Sequence, residues 1–264
     1  MQAVSGKSSL IYAGVLALSL VPTTLSLALQ ANTSPATTRY EVNVVRVKPD
    51  MVAEWVDLQK NEVIPAQKKG GVKERTVWNT AVGNAFEYTI VTPYPSLAAL
   101  DGPSAQARAL GPEAAVRLGA KLRKCVDTQR TFLANRIDDL TIPQGNAIAS
   151  RVVLRRAADG KTQEFFAVIR TDVMAAFKKA KASGKIAGFS VATRGIGAPA
   201  GELTITTYFN KFADMDEFGF GQILGPDAAN KATPKLDALG VCRNENFLYA
   251  ESITYGQTPV ADGL

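Results

Sequence analysis

The sequence predicts an α+β fold: two tandem βαββαβ units whose antiparallel sheets pack into one pseudo-two-fold α/β barrel. Three observations predict it. Residues 110–115 read LGPEAA and, 114 positions later, residues 224–229 read LGPDAA. The match extends outward, because Glu87-Tyr88-Thr89-Ile90 answers Glu202-Leu203-Thr204-Ile205 and Phe132-Leu133 answers Phe247-Leu248, both at a spacing of 115. IPAQKK at 64–69 answers MAAFKK at 174–179 at a spacing of 110, so the difference falls in the hairpin where AVGNAF becomes RGIGAPAGEL. Loops absorb such insertions because closure entropy grows slowly with length. Self-similarity at a long period is the mark of a duplicated unit, and the third observation is that both copies give the same order of strand and helix signals.

In the first unit YEVNVVRV (40–47) is rich in β-branched residues and stops at Pro49, which reads as a strand. Asp50 is placed to cap a helix whose Val52, Trp55, Val56 and Val63 share one face and which Gly70-Gly71 ends. VKERTVWNT (72–80) and NAFEYTIVT (84–92) read as strands joined around Gly83-Asn84, a hairpin signal. A helical stretch over 96–124 is broken at 101–104 and again at Gly111-Pro112, and RTFLANRIDDL (130–140) closes the unit as a strand. The second unit repeats the order with RVVLRR (151–156), then a helix carrying Phe165, Phe166, Ile169, Val173 and Phe177 on one face. GFSVATR (188–194) and ELTITTYF (202–209) follow as strands, then a helical stretch from about Asp214, then NFLYAESITY (246–255). This is the ferredoxin-like arrangement, with both helices on one face of a four-stranded sheet. The units are expected at 40–142 and 150–255, with a linker at 143–149, a disordered linker at 32–39 and a tail at 256–264.

A sheet covered on one side leaves its other face bare, a liability that two such sheets remove by covering each other. Tyr88 and Ile90 match Leu203 and Ile205, so that phase is expected to face the helices. The alternate phase sets Glu87, Thr89 and Val91 beside Glu202, Thr204 and Thr206 and would face the partner sheet. It is polar and small-sided, which suggests a partly hydrated barrel interior where a ligand sits.

Composition removes whole classes of chemistry. The chain has no histidine, which excludes a Ser-His-Asp triad, an imidazole-bound metal or haem and a histidine base; two cysteines cannot build a four-thiolate zinc site. No metal and no cofactor are expected. Residues 1–31 carry one charge, Lys7, ahead of an apolar run ending in small residues, the outline of a secretory signal peptide cleaved after Ala28 or Ala31. An uncleaved membrane anchor is the other reading of that run; Pro22 and the small residues argue for removal. Without Lys7 the chain keeps 29 basic and 24 acidic side chains, a mild net of +5 that gives no argument for nucleic acid. The cluster KKAKASGK (178–185) fits the solvated end of a helix. EFGFGQI (217–223) is reminiscent of an aromatic-glycine RNA-binding signature, but it lies after its strand and has no counterpart in the first unit.

Taken together, YEVNVVRVKPDMVAEW, a helix ending in KKGG, TVWNT, the Gly-Asn hairpin and FEYTIVTPYPSL resemble the dimeric α/β-barrel superfamily and, within it, the NIPSNAP-like domains. The resemblance covers 40–142 and, more loosely, 150–255, with Trp78 and Gly83 among the matched positions. It implies ferredoxin-like sheets paired into a barrel, here within one chain. Members of the wider superfamily include cofactor-free oxygenases, haem-handling enzymes and proteins with no assigned reaction; a histidine-ligated haem does not carry over.

The candidate site follows from the inward phase. Glu87 and Glu202 occupy matching places, so a two-fold axis would turn both toward one cavity as paired acid and base, or leave both in water at a hairpin mouth. Of Trp78 and Asn79 one must point inward, an indole wall or an amide for a flat, oxygen-bearing ligand, unless the tryptophan packs beneath a helix. Thr89, Thr204 and Thr206 would line the same space. Cys125 and Cys242 precede the last strand of each unit and are expected as separate thiols, because equivalent points meet only near the axis. The expectation is an exported, non-catalytic binding or accessory protein for a small apolar or aromatic molecule, soluble once its leader is removed and possessing an internal pseudo-dimer. The alternatives are a cofactor-independent monooxygenase or isomerase in the same cavity, with a filled-barrel protein-interaction module as the third.

Overall fold

The computed structural model of the chain describes residues 37–216 and 218–256; the expected leader, most of the linker after it and the tail from residue 257 lie outside them. Eight strands close on one another: β1 (Thr37–Val47), β2 (Thr76–Val82), β3 (Glu87–Pro93), β4 (Val126–Ile137), β5 (Ala149–Ala157), β6 (Gly188–Arg194), β7 (Glu202–Phe209) and β8 (Gly240–Ala250). The order is β1-β3-β2-β8-β5-β7-β6-β4, returning to β1. The first four strands therefore run β4-β1-β3-β2 and the last four run β8-β5-β7-β6, joined at β2–β8 and β4–β6. All neighbours are antiparallel. The hairpins β2–β3 and β6–β7, with the starts of β4 and β8, consequently gather at one mouth of the barrel.

Helices cover the outside. α1 (Val52–Leu58) passes through a π turn (Gln59–Val63) into α2 (Ile64–Lys69), and α3 (Ala105–Leu110) and α4 (Pro112–Cys125) complete the first layer. Their apolar faces meet the outward phase of the strands, with Trp55, Leu58 and Cys125 packed on Val45, Val77, Tyr88 and Ile90. The second layer is α5 (Thr162–Val168), a π turn (Ile169–Val173), α6 (Met174–Ala182), α7 (Ala213–Asp216), α8 (Phe220–Leu224) and α9 (Pro226–Leu239). Phe165, Phe166, Ile169, Val173 and Phe177 are all buried there, as the helical spacing requires, and the Phe177 and Phe189 rings lie 4.5 Å apart. Each such ring contributes roughly 1.5–3 kcal/mol by leaving water. Leu203 packs in the same cluster with Ile205 against it, so the phase expected to face the helices does so.

The recurrent six letters have a local cause. Gly111 (φ 84°, ψ 157°) and Gly225 (φ 82°, ψ 155°) turn a short helix into a long one, in a conformation a side chain disfavours. Pro112 and Pro226 then take the first helical position, where no amide hydrogen is needed. The two π turns also recur 110 positions apart, the spacing of IPAQKK and MAAFKK.

Four details differ from the sequence expectation. Asp50 lies inside a 3-10 turn (Pro49–Met51), and α1 has no side-chain cap. β1 starts at Thr37, within the stretch expected as linker. β4 and β8 begin earlier than 130 and 246, because their opening residues are exposed and polar but hydrogen-bonded along β1 and β5, which needs no apolar alternation. Finally, Phe132 sits opposite Val42, which faces Val91, whereas Val152, which faces Thr206, meets Asn246. Asn246, not Phe247, takes the place of Phe132; a slip of one residue inverts the face of a strand. Cys125 is buried and Cys242 exposed, and both thiols are free, as expected for two separate thiols.

Candidate functional site

Residues directly opposite in an antiparallel ladder share a face. The pairs Val42–Val91 and Val44–Thr89 therefore project into the barrel from one wall, and Val152–Thr206 and Leu154–Thr204 from the other. Side chains filling a packed eight-stranded interior would be fully buried, yet Val44, Thr89, Val91, Val152, Leu154 and Thr204 are only half-buried. Solvent reaches this lumen. Two surface concavities lie elsewhere, one beside Lys185, Asp214 and Phe218 and one beside Glu62, Pro65 and Leu110, and neither collects a residue expected at the site.

At the mouth stands an ion cluster. Glu202 is 8% exposed, and its Oε2 lies 3.4 Å from Arg194 Nη1 and 3.5 Å from Arg130 Nη2. Arg194 Nε donates to Thr204 Oγ1 at 3.0 Å, and both guanidinium groups lie over the Phe132 ring, at 4.5 and 5.6 Å from its centre. Burial pulls the Arg194 guanidinium down, and the Glu202 carboxylate opposes that pull. Glu87 also acts on Arg194, so both glutamates belong to one mouth. Glu87 is half-buried, with its carboxylate accepting from Asn84 Nδ2 at 3.2 Å. The expectation of two paired carboxylates is corrected by the geometry: Glu202 forms ion pairs with Arg194 and Arg130, while the Glu87 carboxylate accepts from Asn84.

Deeper in, aromatic and hydroxyl groups dominate. Trp78 pairs with Thr89 and so points inward, its ring 5.9 Å from that of Tyr208. Asn79 takes the opposite phase, donating to Tyr249 Oη and Glu251 Oε1 on the outside, and leaves the expected ligand set. Arg136 Nη1 donates to Tyr40 Oη at 2.7 Å and its Nε to Asp138 Oδ1 at 2.9 Å. Burial raises the carboxyl of Glu74 while Arg136 lowers it. Thr80 and Ser150 both pair with Leu248, so their hydroxyls flank it inside the barrel. Ser150 is 1% exposed; neither Ser150 Oγ nor Thr80 Oγ1 has a hydrogen-bond partner among the described residues. An unpaired buried hydroxyl costs about 1–3 kcal/mol.

Sequence reasoning missed Tyr40, Arg130, Arg136, Ser150, Arg194 and Tyr208. The signal that finds them is the alternation itself: once Phe132 is inward, Arg130 and Arg136 are inward too.

Burial also pushes the Tyr40 hydroxyl up to about 12, Arg136 working against it, and the Tyr88 hydroxyl up to about 12. A raised phenol keeps its proton in the folded chain after the unfolded chain has lost it, so this contribution to stability is complete below pH 10 and is lost as pH climbs toward 12. Ultraviolet titration should show a late-ionising class containing these two tyrosines, with the melting temperature falling across the same interval. Ionisation of every tyrosine near pH 10 without unfolding would contradict the placement.

Among the described residues no helix is long and apolar enough to cross a membrane, and no group of three or more Asp, Glu, Cys or His could hold a metal ion.

No family model matches the chain, and no curated protein matches it significantly. Solved structures do. An anthrone oxidase-like protein aligns over 86% of this chain and 97% of its own, at 11% identity and a TM-score of 0.59. A presumptive monooxygenase from Lactobacillus acidophilus NCFM aligns over 81% and 94%, at 11% identity and a TM-score of 0.55. A NIPSNAP family protein of unknown function from Agrobacterium tumefaciens covers 36% of this chain and 85% of its own, at 17% identity and a TM-score of 0.32. At such identities the likeness is one of fold alone.

Proposed function

We propose that the lumen binds a small aromatic or apolar molecule carrying an oxygen function, and that the protein is an exported binding or accessory protein, not a catalyst. The observation that carries this reading is the pair of unpartnered hydroxyls, Ser150 Oγ and Thr80 Oγ1, inside a solvent-reached barrel beside the Trp78 and Tyr208 rings. A ligand oxygen would satisfy those hydroxyls, the rings would flank its body, and Val91, Val152, Thr89, Thr204 and Thr206 would line the rest. Export rests on the leader pattern of 1–31. Origin by duplication is supported by the shared strand order of the two halves and by the recurring π turns and glycine turns.

The test is to incubate the purified mature chain with a mixed metabolite extract and read bound species by native mass spectrometry. One retained aromatic or apolar compound is expected, with affinity about 10-fold weaker in Ser150→Ala, the equivalent of one lost hydrogen bond. A chain that retains nothing, with unchanged tryptophan fluorescence in the extract, would refute the reading.

A second reading comes from the names of the fold neighbours, a presumptive monooxygenase and an anthrone oxidase-like protein. It has the same lumen oxygenate its ligand. Oxygen uptake with the extract, and a product that has gained one oxygen atom and lost two hydrogens while the second oxygen leaves as water, would establish it, and Glu87→Gln would then show whether that carboxylate takes part.

A further inference from the structure

Outside the lumen, on the helical side of β2, lies a buried cation with no counter-charge among the described residues. Arg75 is 1% exposed and is joined to Tyr255 by two backbone hydrogen bonds of 2.9 Å, Arg75 N to Tyr255 O and Tyr255 N to Arg75 O. Its side chain shares the phase of Val77, which packs in the core beneath α1. Arg75 Nη2 donates to Gln59 Oε1 at 2.7 Å, and Gln59, itself 3% exposed, opens the π turn. Among the described residues Arg75 Nε and Nη1 have no hydrogen-bond partner, nor has the hydroxyl of Tyr255. Among the described residues no carboxylate forms an ion pair with Arg75, while Lys68 Nζ sits 4.7 Å from the centre of the Tyr255 ring and adds positive charge nearby.

Magnitudes decide what belongs here. Burial brings the Arg75 guanidinium down to about 10, so it stays cationic at neutral pH, and burial raises the Tyr255 hydroxyl, so it stays neutral and able to donate. A buried water would satisfy hydrogen-bond directions but not the charge, and an isolated buried charge is far more costly than an unpaired dipole. Three donors with one uncompensated positive charge define the complement.

We infer that Arg75 Nε, Arg75 Nη1 and the Tyr255 hydroxyl hold a small monovalent anion of chloride size. The anion would tie the C-terminal segment to the π turn. That segment is already seated: Ile253 is fully buried in the first core and Glu251 N donates to Val77 O at 2.8 Å. The site is therefore structural and independent of the barrel lumen.

The experiment is thermal unfolding of the full chain at constant ionic strength while gluconate, too large for the site, is replaced by bromide. A saturable rise is expected, about 5–10 °C at a hundred times the dissociation constant, with Tyr255→Phe needing about 10-fold more bromide for the same rise. Because Arg75→Met also removes a buried core side chain, the site is read directly in wild-type crystals grown in bromide, where an anomalous peak should lie within hydrogen-bonding reach of Arg75 and Tyr255. Density without anomalous signal would identify a water and overturn the inference. So would a bromide peak with no bromide dependence of stability, which would mark an adventitious ion only.

Discussion

Glu202→Gln lowers the melting temperature by roughly 5–10 °C. The substitution keeps the shape of the side chain but removes the charge that Arg194 and Arg130 share, and it turns an amide donor toward two groups that only donate. Removing one partner of a fully buried pair costs about 3–5 kcal/mol. Here the side chains of Glu202 and Arg194 are 10% and 14% exposed but that of Arg130 is 48% exposed, so water takes back part of its charge. The discounted cost is about 2–3 kcal/mol, and a chain of this size loses roughly 2–4 °C for each. Calorimetry reads it. Adding Arg194→Met to Glu202→Gln should recover part of the loss, because the stranded buried cation goes with it. Wild-type melting of Glu202→Gln would mean that the cluster does not brace the mouth.

The second large effect is on binding. Val152→Trp should weaken ligand capture by roughly 100-fold or more, about 2.7 kcal/mol, while the far-ultraviolet dichroism remains that of the folded chain. Val152 is half-buried, projects into the lumen between Thr206 and Asn246, and makes no side-chain hydrogen bond that the change would break. An indole there would project among the inward side chains that the ligand is proposed to contact, at an overpacking cost of about 1–3 kcal/mol. Unchanged affinity in a folded Val152→Trp would place the ligand outside the barrel and remove the proposed roles of Trp78, Ser150 and Thr80 together.

Local patterns carried much of the fold into the sequence. GFSVATR and ELTITTYF match β6 and β7 in both bounds, since each alternates strongly and ends at a turn. The helical face of Phe165, Phe166, Ile169, Val173 and Phe177 was legible for the same reason, a period of 3.6 with no competing signal. The start of β8 and the phase of Phe247 were not legible, because its opening residues are polar on both faces and register there is set by pairing with β5.

The candidate site was legible only as a phase. From sequence alone came the inward positions of β3 and β7, including Glu87, Thr89, Glu202, Thr204 and Thr206, because neighbouring side chains in a strand must point opposite ways. The partners were not, because barrel closure chose them: β4 meets β6, so Arg130 from the first half and Arg194 from the second converge on Glu202, and β2 meets β8, so Thr80 comes to face Leu248 and, across it, Ser150. Periodicity is a property of consecutive residues and can be read from them. Charge compensation, unpaired hydroxyls and the buried isolation of Arg75 depend on which distant strands and turns become neighbours, and that is decided when the sheet closes.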